Sequence, residues 1–214
     1  MSITILSPLA LGIVLGLKHA LDADHLAAVS TMATERRGLC ASFLIGALWG
    51  LGHTLSLVVA GVLVLLFHFQ IGADVGKALE LCVGFMLIAL GGTSLRKLAR
   101  GGNSHMHAPR LGARPLLVGM MHGLAGSAAL TLLVFAAIPS PALGLLYIAI
   151  FGIGSIGGMV IMSTLFSLPA KLTSLHFARG NILIRGLAGI VSVCFGAFMV
   201  YDMALALMAH TNNS

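Results

Sequence analysis

The sequence predicts an all-α integral membrane protein of six transmembrane helices, arranged as a 3+3 inverted repeat. Three observations lead to this prediction: an apolar composition, six apolar stretches of spanning length, and motifs that recur at a nearly constant offset. Of the 214 residues, 58% are hydrophobic and only 8% are charged, whereas roughly a quarter of an average soluble domain is charged. Because few polar side chains are available to cover a soluble surface, we expect a lipid bilayer to surround the chain.

The six apolar stretches are the predicted spans, since a helix needs about 20 apolar residues to cross the hydrocarbon core. Lipid offers no partners to backbone NH and CO groups, so helices are expected. The alternating polar positions of a membrane barrel are absent from these stretches. Numbered one to six, the spans cover residues 5–31, 41–67, 78–98, 115–138, 142–168 and 181–208.

Basic residues lie mostly on one side of the predicted membrane. Of the 12 lysine and arginine residues, nine follow spans one, three and five, and only Lys77 lies on the opposite side. Since positive charge marks cytoplasmic loops, both termini are predicted to be extracytoplasmic, in the inner (cytoplasmic) membrane. The net charge of +6 therefore does not indicate a nucleic-acid partner. The nine residues are Arg36, Arg37, Arg96, Lys97, Arg100, Arg110, Arg114, Lys171 and Arg179.

Three motifs of the first half recur in the second half. "GLKHALDADHLAAVS" aligns with "GMMHGLAGSAALTLL" and pairs His19 with His122, and "WGLGHT" aligns with "FGIGSI". The third pair is "ELCVGFMLIALGG" with "RGLAGIVSVCFGA", and the offsets are 103, 102 and 105 residues. The repeat divides the chain into residues 1–98, a cytoplasmic linker at 99–114, and residues 115–214.

An odd number of helices in each half means that the two halves cross the membrane in opposite directions. Inverted repeats of this kind are typical of secondary transporters, which hold their substrate near the midplane between the halves. We therefore expect spans one and four to cross at the midplane, with His19 and His122 facing one central cavity. Ser127 is expected to line the same cavity from span four.

Five ionisable residues fall within the first apolar span: Lys18, His19, Asp22, Asp24 and His25. An ionised group at the bilayer centre costs about 2.5–3.5 kcal/mol on insertion scales, so these charges need partners. A divalent cation is one such partner, because imidazole nitrogen and carboxylate oxygen suit Ni²⁺, Co²⁺ or Zn²⁺. The alternative is an internal knot of ion pairs and hydrogen bonds that holds helices together.

Helical spacing restricts how this stretch can bind an ion. His19, Asp22 and His25 follow at i, i+3 and i+6 along one face of a helix, whereas Asp24 points nearly opposite to Asp22. A straight helix cannot direct both aspartates at one ion. Either the helix is broken near Ala23, or one aspartate serves another partner, for which Lys18 is the nearest candidate.

The same residues resemble the signature of a known family. "KHALDADHLA" is similar to the H-x4-D-H motif of the nickel/cobalt transporters, with His19, Asp24 and His25 at its three named positions. Asp22 matches the frequent D-A-D-H form of this motif, whereas Lys18 replaces the usual arginine. "LGHT" at 51–54 resembles the second motif of the family and adds His53. "HGLAGSAAL" in span four is similar to the shorter branch of urease-accessory nickel permeases, and the acidic third motif of the family is absent.

The resemblance implies a permease for Ni²⁺, with Co²⁺ as the alternative ion. It implies uptake that feeds nickel chaperones of urease or hydrogenase, with no catalysis and no tightly bound cofactor. His53 and His122 could instead be core histidines, and the "HMH" sequence at 105–107 could collect metal or simply be solvated. The expected ligands are His19, Asp22, Asp24, His25, His53 and His122, with Lys18 and Ser127 lining the site.

Three other functions stay open at this stage. The chain could export the ion, or it could be the metal-capturing subunit of a transporter driven by a separate ATPase, since it has no P-loop motif of its own. It could also be a transmembrane thiol redox relay, which needs two thiols that can meet. The chain has three cysteines for this purpose, Cys40, Cys82 and Cys194, and they form no CxxC pair.

The charge asymmetry predicts the orientation of the chain. A reporter that is active only in the periplasm should work when it is fused after Ser214, because the nine-to-one distribution of basic residues directs the C-terminus outwards. The same reporter inserted in the 99–114 linker should be silent. The opposite pattern of reporter activities would overturn the predicted orientation.

Overall fold

The computed structural model describes residues 2–34, 38–67, 72–100, 112–137, 140–176 and 178–211, and throughout these ranges its regular structure is helical. The all-α class that the sequence predicts is thus confirmed. The described residues form seven helices: α1 (Ser2–His19), α2 (Ala23–Thr34), α3 (Leu39–Phe67), α4 (Ala73–Ala99), α5 (Arg114–Ala137), α6 (Pro141–His176) and α7 (Ala178–Thr211).

Four stretches of these helices are long and apolar enough to cross a membrane. Large apolar side chains cover their outer surfaces, and Ile153 and Phe198 are each more than 60% exposed. Polar side chains point inwards, for example Ser42, Ser155 and Ser163. Apolar exterior and polar interior are the arrangement that lipid favours, so the chain is a helical membrane protein. The four stretches are Leu39–Phe67, Asp74–Ala99, Pro141–Pro169 and Gly180–Met208.

The first predicted span is wrong as a single helix, because residues 20–22 interrupt it. At the end of α1 the NH groups of Leu21 and Asp22 turn back to the carbonyls of Lys18 and His19, at 2.9 and 3.0 Å. The helical pattern resumes when the NH of Leu26 donates to the carbonyl of Asp22, at 2.9 Å. The first turn of α2 contains Asp24, and a carboxylate there is favourable beside the positive end of the helix dipole. The break near Ala23 was one of the two alternatives that the spacing left open.

The break sends the two parts of this span to different neighbours. The central pair of helices is α3 and α6, with α1 packed on α6 and α5 packed on α3. A second pair consists of α4 and α7, and α2 contacts both of them as well as α3 and α6. Within the described residues the backbones of α1 and α5 are not neighbours, so the predicted spans one and four do not cross as packed helices. Instead, α1 packs along α6 and α5 packs along α3, the two helices of the central pair. Side chains of span one still reach span four, since an oxygen of Asp24 lies 3.7 Å from His122 Nε2.

Glycines allow these helices to approach closely. A Cβ atom at Gly16 would overlap with the carbonyl oxygen of Phe151, and one at Gly119 would overlap with the carbonyl oxygen of Trp49. Since lipid tails are as apolar as leucine, helices in a membrane associate through close van der Waals packing of small residues. The glycines therefore fix how near α1 lies to α6 and α5 to α3, and with that the positions of the side chains at their contacts.

The close contact at Gly119 can be tested by substitution. Gly119→Leu should destabilise the protein by about 1–3 kcal/mol or more, because the new side chain overlaps with the backbone of α3. Leucine is a better helix former than glycine, so any loss reports packing and not helix propensity. The measurement is the thermal unfolding midpoint of the purified protein in detergent.

The matched control is Gly92→Ala, since a Cβ atom at Gly92 meets nothing within 4 Å. We expect this variant to be at least as stable as the wild type, by up to about 1 kcal/mol, because alanine favours a helix. Equal unfolding midpoints for Gly119→Leu and the wild type would contradict the packing that we describe.

Candidate metal centre

Four histidine rings from four helices meet beside the break. His19 ends α1, His25 lies in the first turns of α2, His53 is halfway along α3, and His122 is in α5. The centroid of the His25 ring lies 4.5 Å from that of His19, 5.4 Å from that of His53 and 4.8 Å from that of His122. The rings of His19 and His53 are 5.1 Å apart. The residues that the sequence selected in two separate motifs and in the repeat thus lie in one cluster.

The cluster has a buried side and a more open side. His25, His53 and His122 are at most 2% exposed. The side chains of His19 and Asp24 are about a quarter exposed, and that of Asp22 is 52% exposed. The more exposed side chains of Asp22 and His19 lie at the break between α1 and α2.

The two aspartates serve different histidines. Asp22 Oδ2 lies 2.7 Å from His19 Nδ1, and Asp24 Oδ1 lies 2.9 Å from His25 Nδ1. The other oxygen of Asp24 is 3.7 Å from His122 Nε2. Lys18 is exposed and has no ion-pair partner among the described residues, so the alternative pairing of Asp22 with Lys18 is not found. The break has turned the Asp22 carboxylate back towards the end of its own helix.

Several ring nitrogens in this cluster face no hydrogen-bonding group. Within the described part of the chain, Nε2 of His25, Nε2 of His122 and both ring nitrogens of His53 have no hydrogen-bond partner. A buried polar atom without a partner costs about 1–3 kcal/mol. These nitrogens are therefore candidates to bind a ligand, whereas the pairs of His19 with Asp22 and His25 with Asp24 are contacts that an internal knot of ion pairs also predicts.

Hydrogen bonds at Nδ1 leave the opposite nitrogens available as ligands. The Nδ1 of His122 lies 3.1 Å from the carbonyl oxygen of Val118, and this contact requires that Nδ1 carries the proton and donates. The lone pair of His122 is then on Nε2. His19 and His25 have a carboxylate beside Nδ1 in the same way, which is the arrangement by which proteins orient histidines that bind metals.

The donor atoms form two groups of the size that a metal ion requires. One group is His19, His25 and His53, and the other is Asp24, His25 and His122. Within each group, one ligand atom from every residue lies within 4.8 Å of the other two. Donors around an ion with bonds of about 2.0–2.1 Å are about 3–3.5 Å apart, so rotations of the side chains close the remaining difference.

Two aromatic residues that the sequence analysis missed form the walls of the cluster. Trp49 stacks on His25 at 5.4 Å and lies 5.6 Å from His122. Phe151 lies 5.4 Å from His19. Trp49 is the single tryptophan of the chain and precedes His53 by one helical turn, which is the signal that would have found it. Apolar walls lower the local dielectric and strengthen charge interactions inside the cluster.

Other candidates from the sequence stand apart from this cluster. The side chain of Ser127 and the "HMH" sequence at 105–107 lie outside the described residues. The three cysteines are free and exposed on the surface.

The fold and the cluster define a class: a multi-helix membrane protein with a buried histidine and aspartate centre at a helix break. The chain is 34% identical over 218 residues to the urease accessory protein UreH of Bacillus sp. (strain TB-90), across 95% of this chain and 94% of that protein. It therefore belongs to the UreH family of urease accessory proteins.

A more distant similarity connects the chain with a plant protein. It is 27% identical over 215 residues to the chloroplast protein FOR GROWTH AND FERTILITY 2 of Arabidopsis thaliana, across 89% of this chain and 57% of that protein. No protein-family model matches the chain, and no solved structure shows significant similarity to it.

Proposed function

We propose that this protein is a secondary permease that takes up a divalent transition-metal ion, Ni²⁺ before all others, across the cytoplasmic membrane. The observation that carries the proposal is the cluster of His19, Asp24, His25, His53 and His122 at a broken membrane helix. Ionisable residues inside a membrane protein are rare, and they mark pathways for ions and substrates.

A metal ion accounts for the features of the cluster that packing does not. It would bind the nitrogens of His25, His53 and His122 that have no hydrogen-bond partner among the described residues. It would also balance the charge of the aspartates. Irregular backbone at membrane depth is tolerated where it lines a cavity, and broken helices are common at the substrate sites of transporters. The break at residues 20–22 fits this role.

Ni²⁺ is the preferred ion because two arguments agree on it. Imidazole and carboxylate ligands suit Ni²⁺, Co²⁺ and Zn²⁺, and Ni²⁺ binds more tightly than Co²⁺ in a given nitrogen and oxygen site. The relative UreH is named a urease accessory protein, and the H-x4-D-H stretch resembles the nickel/cobalt transporters. The imported ion would then supply nickel chaperones of urease or hydrogenase, with Co²⁺ as a second substrate.

Reciprocal contacts support two inverted repeats, residues 1–98 and 115–214, joined by the linker at 99–114. If the halves are related by a two-fold axis, each contact must recur with the partners exchanged at the offsets of the alignment. Gly16 contacts the carbonyl of Phe151, and the equivalent Gly119 contacts the carbonyl of Trp49. The rings follow the same rule, since His19 lies beside Phe151 and His122 beside Trp49.

The contact between α4 and α7 follows the same exchange. A Cβ atom on Gly196 would lie 2.6 Å from the carbonyl oxygen of Gly84, and one on Gly91 would lie 2.5 Å from that of Gly189. The alignment makes Gly84 equivalent to Gly189 and Gly91 to Gly196, so the two contacts are one contact seen from either half. Rocking of such halves against each other exposes a shared site to alternate sides of the membrane.

In the predicted orientation, the membrane potential can drive uptake of the ion. An inside-negative membrane potential favours entry by about 2.3 kcal/mol per charge per 100 mV, which is about 4.6 kcal/mol for a divalent ion. With both termini extracytoplasmic, α1 would run inwards from the outer side to His19. Export and metal capture for a separate ATPase are the outcomes that an uptake assay with this chain alone would reveal.

Uptake of radioactive ⁶³Ni²⁺ by cells that express the chain tests the proposal. His25→Ala should abolish accumulation, because His25 contributes to both groups of donor atoms. The matched control is His176→Ala, at the far end of α6, which should transport like the wild type. Both variants must be present in the membrane at wild-type amounts. Wild-type uptake by His25→Ala, or no uptake by the wild-type chain alone, would contradict the proposal.

The single tryptophan gives a direct test of metal binding. Its ring lies 5.4 Å from that of His25, so a paramagnetic Ni²⁺ ion bound in the cluster should quench the fluorescence of the purified protein. Zn²⁺ has a filled d shell and should quench much less while competing with Ni²⁺. His25→Ala should remove the saturable quenching. Equal quenching of this variant and the wild type would show that the ion binds elsewhere.

A further inference from the structure

We propose that the cluster offers the ion two alternative three-ligand positions that share His25, and that the ion passes between them while it stays bound to His25. This inference rests on the proposed transport of a divalent ion. It adds a division of the cluster into two positions that neither the motif nor the family resemblance contains.

The first position consists of three imidazoles, those of His19, His25 and His53. It lies beside the break, where His19 is partly exposed and receives the carboxylate of Asp22 at Nδ1. Both nitrogens of His53 lack a hydrogen-bond partner among the described residues.

The second position combines two imidazoles with a carboxylate, from His25, His122 and Asp24. Asp24 reaches both rings, with one oxygen 2.9 Å from His25 Nδ1 and the other 3.7 Å from His122 Nε2. His122 is buried, and its Nδ1 is held by the carbonyl of Val118. The burial of this position matches that of the first position, since each combines one side chain that is about a quarter exposed with two buried rings.

The geometry separates these positions from a single site with five ligands. Among the described residues, the atoms that lie within 4.8 Å of one another form the two groups of three and no larger group. His25 is the member common to both. Its Nδ1 faces Asp24, and its Nε2 has no hydrogen-bond partner in the described part of the chain. Nε2 is thus the nitrogen through which His25 would hold the ion in either position.

The two positions are used one at a time. Two divalent ions held at once by ligands around one histidine would repel strongly, because charges interact much more strongly in a low-dielectric interior than in water. A single ion that exchanges two ligands while it keeps the third avoids release into the apolar interior, where a bare charge is costly. His25 would serve as the ligand that is never released.

Paired substitutions distinguish two positions from one site. Ni²⁺ affinity is measured by calorimetry on the purified full-length protein, with His19→Ala introduced into the His53→Ala protein and into the His122→Ala protein. In the first background, the position that uses His19 is already lost, so the affinity should change less than about 2-fold. In the second background it is the remaining position, so the affinity should fall about 10-fold or more.

Each single variant should still bind one ion per chain. X-ray absorption of bound Ni²⁺ should count three imidazoles in His122→Ala and two in His53→Ala. His176→Ala is the matched control, and the thermal unfolding midpoint of every variant shows whether it is folded. Should an alanine variant not fold, glutamine replaces alanine at that position, and the wild type gives an independent test because it should show at most three imidazoles per ion.

The outcomes separate this inference from the proposed function. If His19→Ala lowers the affinity by the same factor in both backgrounds, or if the wild type shows four imidazoles around one ion, the two-position inference is overturned while uptake stands. If the wild-type protein neither binds Ni²⁺ nor accumulates it, the proposed function fails as well.

Discussion

The break at residues 20–22 is the constraint on which the rest of this structure depends. It ends α1 at His19 and begins α2 at Ala23. A straight helix would direct Asp22 and Asp24 apart, whereas the break turns each of them towards a neighbouring histidine. It also sends α2 to the α4 and α7 pair while α1 stays on α6. Backbone NH and CO groups without hydrogen bonds are costly in a membrane, so such a break persists where the surrounding side chains stabilise or use it.

Close helix contacts at glycines bring the other histidine rings to the break and so complete the cluster. Because Gly119 brings α5 close to the backbone of Trp49 and Gly123 brings it close to His53, the rings of α3 and α5 come within reach of His25. Close packing of small residues replaces the hydrophobic effect as the force that joins helices in lipid. The residues that fix helix distances and the residues that form the cluster are therefore interleaved on the same helices.

The cluster contains groups that oppose folding. Imidazole nitrogens without hydrogen-bond partners among the described residues and carboxylates at membrane depth both oppose folding. An ion bound there would return this free energy, since a ligand that binds only the folded state stabilises it. Two positions with three ligands each would also bind the ion less tightly than one site with all five ligands, so the ion could be released.

The sequence alone determined the helical class, the approximate ends of five spans and most members of the cluster. Composition, span length and the H-x4-D-H spacing are local properties, and they identified His19, Asp24 and His25 without any knowledge of packing. The sequence left open whether the first helix breaks, and it missed the walls formed by Trp49 and Phe151. It also predicted that spans one and four cross as packed helices, whereas in the structure they meet through side chains such as those of Asp24 and His122. These features depend on which backbones approach each other, and that is decided by contacts between residues far apart in the chain, so only the tertiary structure could assign each aspartate to its histidine and His25 to both groups of ligands.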